Sequence, residues 1–421
     1  MTERGVAVSR ARRIVTGPIG AWVAFVLVHL ALALINLFDT VHLPFGDVVQ
    51  VYRFWMDYAA ENGILVGIDT GWVYPVGALL PMGLAYLFGP EPYGVVWLVL
   101  VTLLDAAAFA VLLRRRLAAA WWWVAFLAAL GPVAVARLDA ITAPLAILGL
   151  LWLSSRPILA GALLGLGAWI KVWPAALLAA GVLAVRRRSA LLLGGAGVTI
   201  VVLAAALVLG GGANILGFVA TQGSRGLQVE APVSSWWLWQ AVLGLDGARI
   251  YYDQEILTYQ VLGDGVATAA AAMTPLLVAA VAVLLLLALR AMGREADTDA
   301  LLVPLTLALV VAMLVFNKVG SPQFVGWLAA PVLLGLVLRR PGALVPAASV
   351  FAIALLTQIV YPWSYGPLIG ADSLAAAVLT LRNLGLVAVL AYAVRELWRL
   401  PGSSHPGAVD RSSPILTADR T

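Results

Sequence analysis

An aspartate opens the first long polar stretch of this chain: Gly46-Asp47 precedes Val48, Val49, Val51, Tyr52, Phe54, Trp55 and Tyr58, with Gln50, Arg53, Asp57 and Glu61 between them. That spacing predicts an amphipathic helix lying on a bilayer surface. Asp47 stands where an N-cap belongs, and a carboxylate there can also serve as a general base. Charge is carried almost everywhere by arginine, yet two lysines occur, Lys171 and Lys318, both between apolar runs. A cation in such a place needs an anion or a lipid headgroup to face. Arg137 with Asp139, and Arg225 with Glu230, are close enough in sequence to be expected as pairs. Aromatic residues cluster near these charges at Trp72-Val73-Tyr74-Pro75, at Trp169 and Trp173 around Lys171, and at Trp236-Trp237-Leu238-Trp239. Such surfaces accept sugar rings and isoprenoid chains.

The elements that must position these residues follow from composition. Of the 421 residues 63% are hydrophobic and only 11% charged, with a mean hydropathy of +0.99. No water-soluble domain of this length keeps that much apolar surface inside one core, so lipid must solvate it. Apolar runs recur at lengths suited to helices crossing about 30 Å of hydrocarbon, which makes the expected fold an all-α polytopic membrane protein of about 12 transmembrane helices. The net charge of +5 sits in arginines near the membrane surface, with no basic stripe of the kind that binds nucleic acid. Cysteine is absent, which removes disulfides, thiolate nucleophiles and Cys-based metal sites.

Basic clusters at Arg10 to Arg13, Arg114 to Arg116, Arg156, Arg186 to Arg188, Arg290 with Arg294, Arg339 with Arg340, and Arg395 with Arg399 should all be cytoplasmic by the positive-inside rule. They share one side if Pro75 to Phe88 lies in the outer interface instead of crossing. The spans are then Gly17 to Phe38, Tyr93 to Leu113, Leu117 to Val135, Ala140 to Ser154, Pro157 to Ile170, Trp173 to Val185, Ala190 to Gly210, Val266 to Leu289, Thr298 to Phe316, Pro322 to Leu338, Gly342 to Val360 and Leu374 to Val394. The expected membrane domain is 1–400, with large outer loops at 39–92 and 211–265 and short outer turns near Arg137, Lys171, Lys318 and Tyr361. The tail 401–421, rich in Ser, Pro and Asp, is expected to be a disordered cytoplasmic segment. Cytoplasmic connections are short, so function belongs to the outer face of a plasma-membrane protein. Asp105 and Arg382 fall mid-span, where a charge must be paired, and they are expected to pair with each other.

One span, a long outer loop with an acidic residue near its start, and then many spans resembles the C-type (GT-C) membrane glycosyltransferases. Gly46-Asp47 followed by Val51-Tyr52-Arg53, the Trp72-Val73-Tyr74-Pro75 step and Ile170-Lys171-Val172-Trp173-Pro174 are similar to the actinobacterial branch that includes α-mannosyltransferases of phosphatidylinositol mannosides. Phe316-Asn317-Lys318-Val319-Gly320-Ser321-Pro322-Gln323-Phe324 also resembles a motif of the eukaryotic enzyme adding the first mannose of glycolipid anchors.

The resemblance implies transfer of a sugar, mannose, from a polyprenyl-phosphate carrier to a cell-envelope glycolipid or polysaccharide on the extracytoplasmic face, with inversion. It implies Asp47 as general base and Lys171, Lys318, Arg225 and Arg53 around the departing phosphate. His42, Tyr52, Trp72, Tyr74, Arg137, Asp139, Trp173, Glu230 and Gln323 become the expected substrate-binding residues, membrane lipids the surroundings. The chain departs from the family pattern in having no Asp-x-Asp or Glu-x-Asp pair after the first span, so no metal and no cofactor are expected. Arabinofuranose on the same type of carrier is the nearest alternative sugar. A secondary transporter or a lipid flippase is the non-enzymatic alternative, although the halves show no internal repeat.

Overall fold

A computed structural model of the chain describes residues 16–221, 225–292 and 297–400. Arg10 to Arg13, Arg294 and the tail 401–421 lie outside the described residues. The protein is an all-α polytopic membrane protein, because in hydrocarbon the backbone must satisfy its own hydrogen bonds. Among the described residues eight helices are long and apolar enough to cross a membrane: Pro18–Phe38, Tyr93–Arg115, Leu117–Ala134, Arg188–Val208, Val266–Met292, Thr298–Val315, Leu344–Trp363 and Ser373–Trp398.

About twelve spans were expected, and eight of them are these long helices. The other four expected spans are helices too, but short ones: Leu138–Trp152, Pro157–Ile170, Pro174–Ala184 and Pro322–Val337. Fifteen residues rise only about 22 Å. In two of the four the packing accounts for the shortness: every residue from Leu138 to Leu151 and from Pro322 to Leu336 is buried. Those helices meet protein on all sides, so their length is not set by the bilayer. Glycines allow equally close packing between Pro157–Ile170 and Arg188–Val208, where a side chain on Gly161 or Gly194 would collide with the carbonyl of Leu191 or Ile158. The segment Val76–Ala85 is a short helix, and Gly77 packs it directly on the backbone of Trp169.

Among the described residues, several of the clustered arginines meet the ends of other helices. Arg115 donates to the carbonyl of Leu151 and Arg116 to that of Leu336, while Arg340 pairs with Asp297 at 3.4 Å and Arg290 lies over the ring of Trp398 at 4.6 Å. The expected Asp105–Arg382 pair does not form. Asp105 instead meets His29 of the first span, Nε2 to Oδ2 at 3.1 Å, and Arg382 spends its donors on the carbonyls of Glu230 and Gly320 and on Asn383. Hydropathy places each charge in a span but does not say which spans are neighbours.

The second loop contains the two strands found among the described residues, Arg249–Asp253 and Thr258–Leu262, paired antiparallel from Arg249↔Leu262 to Asp253↔Thr258. Asp253 shapes the turn by accepting from the backbone N–H groups of Glu255 and Ile256. An isolated bridge between Gln228 and Gln260 ties the preceding segment to this hairpin.

Candidate functional site

The loop helix begins at Gly46, and Asp47 is already inside its first turn with no side-chain cap bond. The capping role expected for Asp47 is therefore not the one it plays. Its Oδ2 receives Arg137 Nε at 2.7 Å. Arg137 is the extended residue just before Leu138–Trp152, and its guanidinium is buried, a state that demands acceptors for its five N–H donors. Nη1 donates to the carbonyls of Pro44 and Ala136 at 2.8 and 2.7 Å, and Nη2 to the Tyr361 hydroxyl at 3.0 Å. Among the described residues nothing donates to Asp47 Oδ1, and the side chain is 39% exposed.

The expected Arg137–Asp139 pair is thus corrected. Two positions apart across a helix start, the side chains diverge. Asp139, nearly sealed, takes Lys171 Nζ at 2.8 Å on Oδ2 and the Trp327 indole N–H at 2.5 Å on Oδ1. Lys171 lies 5.5 Å from the ring centre of Tyr74 and 4.8 Å from that of Phe324. The lysine has the anionic partner that its position required, and that partner is in the protein.

Asp47, Tyr52, Tyr74, Arg137, Arg225, Glu230 and Gln323 line one cavity of about 380 Å³. Every outer loop expected from the arginine topology contributes to it, apart from the turn at Lys171. The expected Arg225–Glu230 pair is a further correction: Glu230 Oε1 accepts from the Tyr365 hydroxyl at 2.8 Å, and Arg225 has no carboxylate partner among the described residues. Burial pushes the Glu230 carboxyl above its ordinary range, partly offset by that hydrogen bond. Burial likewise raises Tyr52, Tyr74 and Tyr365, so these hydroxyls stay protonated donors near neutral pH.

The remaining expected residues stand behind or beside the wall. Trp72 meets Tyr74 and Trp55 edge-on at 5.5 and 5.2 Å, and Trp173 stacks on Trp327 at 5.5 Å with its N–H on Thr142. His42 pairs with Asp39 at 3.0 Å and touches Trp363 edge-on. Arg53 is 3.7 Å from Asp57 on its own helix. Lys318 is buried, burial lowers the pKa of its ammonium, and its carbonyl accepts from Gln228 N at 3.0 Å.

Sequence reasoning missed Gln228, Tyr252, Tyr259, Tyr361 and Tyr365, which also line the cavity. The run Tyr361-Pro362-Trp363-Ser364-Tyr365, in a turn already assigned to the outer side, carried a usable signal. The hairpin tyrosines carried none.

Residues 72–273 match the family model of glycosyltransferase family 87. No curated protein and no solved structure matches the chain. The family match indicates glycosyltransferase activity, and with the eight apolar helices it supports a multi-pass membrane enzyme using a sugar donor and an acceptor. It spans just under half of the chain, taking in Arg137, Lys171, Arg225, Glu230 and the hairpin. Asp47 lies outside it.

Proposed function

We propose that the cavity is an extracytoplasmic active site that transfers mannose from a polyprenyl-phosphate carrier to a cell-envelope glycolipid or polysaccharide, inverting the anomeric centre. The observation that carries this reading is the clamp on Asp47. One carboxylate oxygen is held by a buried guanidinium, and the other is left toward a cavity large enough for a sugar ring. In the reaction Asp47 Oδ1 takes the proton of the acceptor hydroxyl as that oxygen bonds to the anomeric carbon. The bond from that carbon to the carrier phosphate breaks on the opposite face, and the phosphate leaves with the electron pair. A single displacement of this kind needs one base and inverts the centre.

The leaving phosphate gains charge and needs cations. Arg225 lines the cavity with its guanidinium uncommitted to any carboxylate among the described residues, so it takes first place in this role. Lys171, held by Asp139 outside the cavity lining, acts in this reading only through that pair behind the wall, and Lys318 and Arg53 flank the site. Tyr52, Tyr74 and Gln323 offer neutral hydrogen bonds for sugar hydroxyls. The test is transfer by the purified protein in lipid nanodiscs, given radiolabelled polyprenyl-phosphate mannose, the arabinofuranosyl counterpart and a panel of envelope glycolipids. A mannosylated product of inverted configuration is expected. Product from the arabinofuranosyl donor alone would replace mannose in the assignment, and no product from either donor would overturn it.

A further inference from the structure

Glu230 is fixed more tightly than a loop residue needs to be. Its carbonyl accepts from Arg382 Nη1 at 3.1 Å, and Nη2 of the same guanidinium takes the Gly320 carbonyl at 2.9 Å. Glycine is required at 320, because a Cβ there would run into the backbone of Glu230. The side chain is just as constrained: Oε1 accepts from Tyr365, and the residue is only 3% exposed although it lines the cavity. Its Oε2 is closed to water and has no hydrogen-bond partner among the described residues.

A carboxyl kept only to anchor this loop would have both oxygens satisfied, since an unpaired buried polar atom is a standing cost. The surroundings indicate what completes it. The Tyr365 ring meets Tyr259 and Tyr361 edge-on at 5.8 and 5.3 Å, and Gln228 and Ser321 add neutral polar groups to the same wall. Aromatic faces with neutral donors and acceptors suit a neutral polyol ring. A hydroxyl also answers either state of the carboxyl, donating to it when ionised and accepting from it when protonated. An anion cannot donate to the ionised carboxylate, and an apolar group does neither.

We infer that Glu230 reads the hydroxyl pattern of the sugar: its Oε2 pairs with one ring hydroxyl of a neutral sugar lying against the tyrosine wall. The inference rests on the transferase reading in taking the ligand to be a sugar. Oε2 is closed to water in this structure, so binding requires a local opening of the cavity wall around Glu230.

The test measures binding without turnover. Methyl α-mannopyranoside, methyl α-arabinofuranoside and their monodeoxy analogues are titrated onto the full chain in nanodiscs by saturation-transfer NMR. At least one parent glycoside should bind the wild type and lose about ten-fold in affinity in Glu230→Met, the size of one buried hydrogen bond. Glu230→Gln, nearly isosteric and the variant of choice if Glu230→Met does not fold, should lose less, because a neutral pairing replaces a charge-assisted one. One deoxy analogue should bind wild type and Glu230→Gln alike, identifying the hydroxyl. Displacement by polyprenyl-phosphate mannose would make the ring that of the donor, and displacement by a mannosylated glycolipid that of the acceptor. The inference is overturned if no glycoside binds, if Glu230→Gln and Glu230→Met bind every glycoside like the wild type, if all deoxy analogues remain equally sensitive, or if neither lipid displaces the ring. Glu230-dependent binding without any transfer would sink the transferase reading and leave the sugar subsite intact.

Discussion

Replacing Asp47 by asparagine removes one charge and almost no volume. The amide oxygen can still accept from Arg137 Nε, which stands 2.7 Å from the carboxylate in the wild type. What disappears is the counter-charge of a buried guanidinium, which keeps its three neutral acceptors at Pro44, Ala136 and Tyr361. Stripping one partner from a fully buried ion pair costs about 3–5 kcal/mol. Asp47 is 39% exposed, so water already screens it, and a stability loss of about 1–2 kcal/mol is expected, a drop of a few degrees in Tm at most. The effect on transfer is of another size. Without a group to take the acceptor proton, the rate should fall by about 10²-fold or more. The two outcomes separate cleanly, because a protein weakened that little remains folded at the assay temperature. The measurement is single-turnover transfer from polyprenyl-phosphate mannose alongside a thermal melt of the same nanodisc sample. Turnover within about three-fold of wild type, with the small melt shift present, would refute Asp47 as the base and leave it only as the partner of Arg137.

Lys171→Gln should lower Tm by the equivalent of about 3 kcal/mol, since Asp139 is left buried without its cation; adding Asp139→Asn should recover most of that loss, and a melt unchanged in the single variant would show that the pair contributes nothing. Arg225→Gln should weaken binding of polyprenyl phosphate about ten-fold with little change in Tm, read by isothermal titration; equal affinity would remove Arg225 from the phosphate site. Cysteines introduced into this Cys-free chain near Glu91 and Glu255 should react with an impermeant maleimide from outside the cell, whereas one at Arg156 should not; reaction at Glu91 from the cytoplasmic side alone would sink the topology. The raised pKa of Glu230 means that the folded protein holds a proton that the unfolded chain releases. Wild type should therefore lose stability relative to Glu230→Gln as pH rises from the ordinary carboxylate range through the raised folded value. A Tm difference independent of pH would contradict that shift.

Much of the architecture was legible because lipid imposes a local rule. A helix that crosses hydrocarbon must be apolar along its length, so the eight long spans could be read one at a time, and the arginine runs supplied an expected orientation. The first loop was legible for a similar reason, its helical period marking the helical stretch that Asp47 opens. Local rules stop at partners. Arg137 was expected to hold Asp139, two residues away, and holds Asp47 and Tyr361 instead, at sequence separations no pattern reveals. Asp105 was matched to Arg382 by charge alone and found His29, because pairing depends on which helices are neighbours and how each is rotated. Hydropathy could not show that Leu138–Trp152 and Pro322–Val337 are enclosed by other parts of the protein. Sequence alone thus determined a membrane-spanning helical protein and singled out its unusual charges. Only the tertiary structure decided which of those charges face the cavity and which, like Lys171, are neutralised behind its wall, because that choice depends on contacts between segments that lie far apart in the chain.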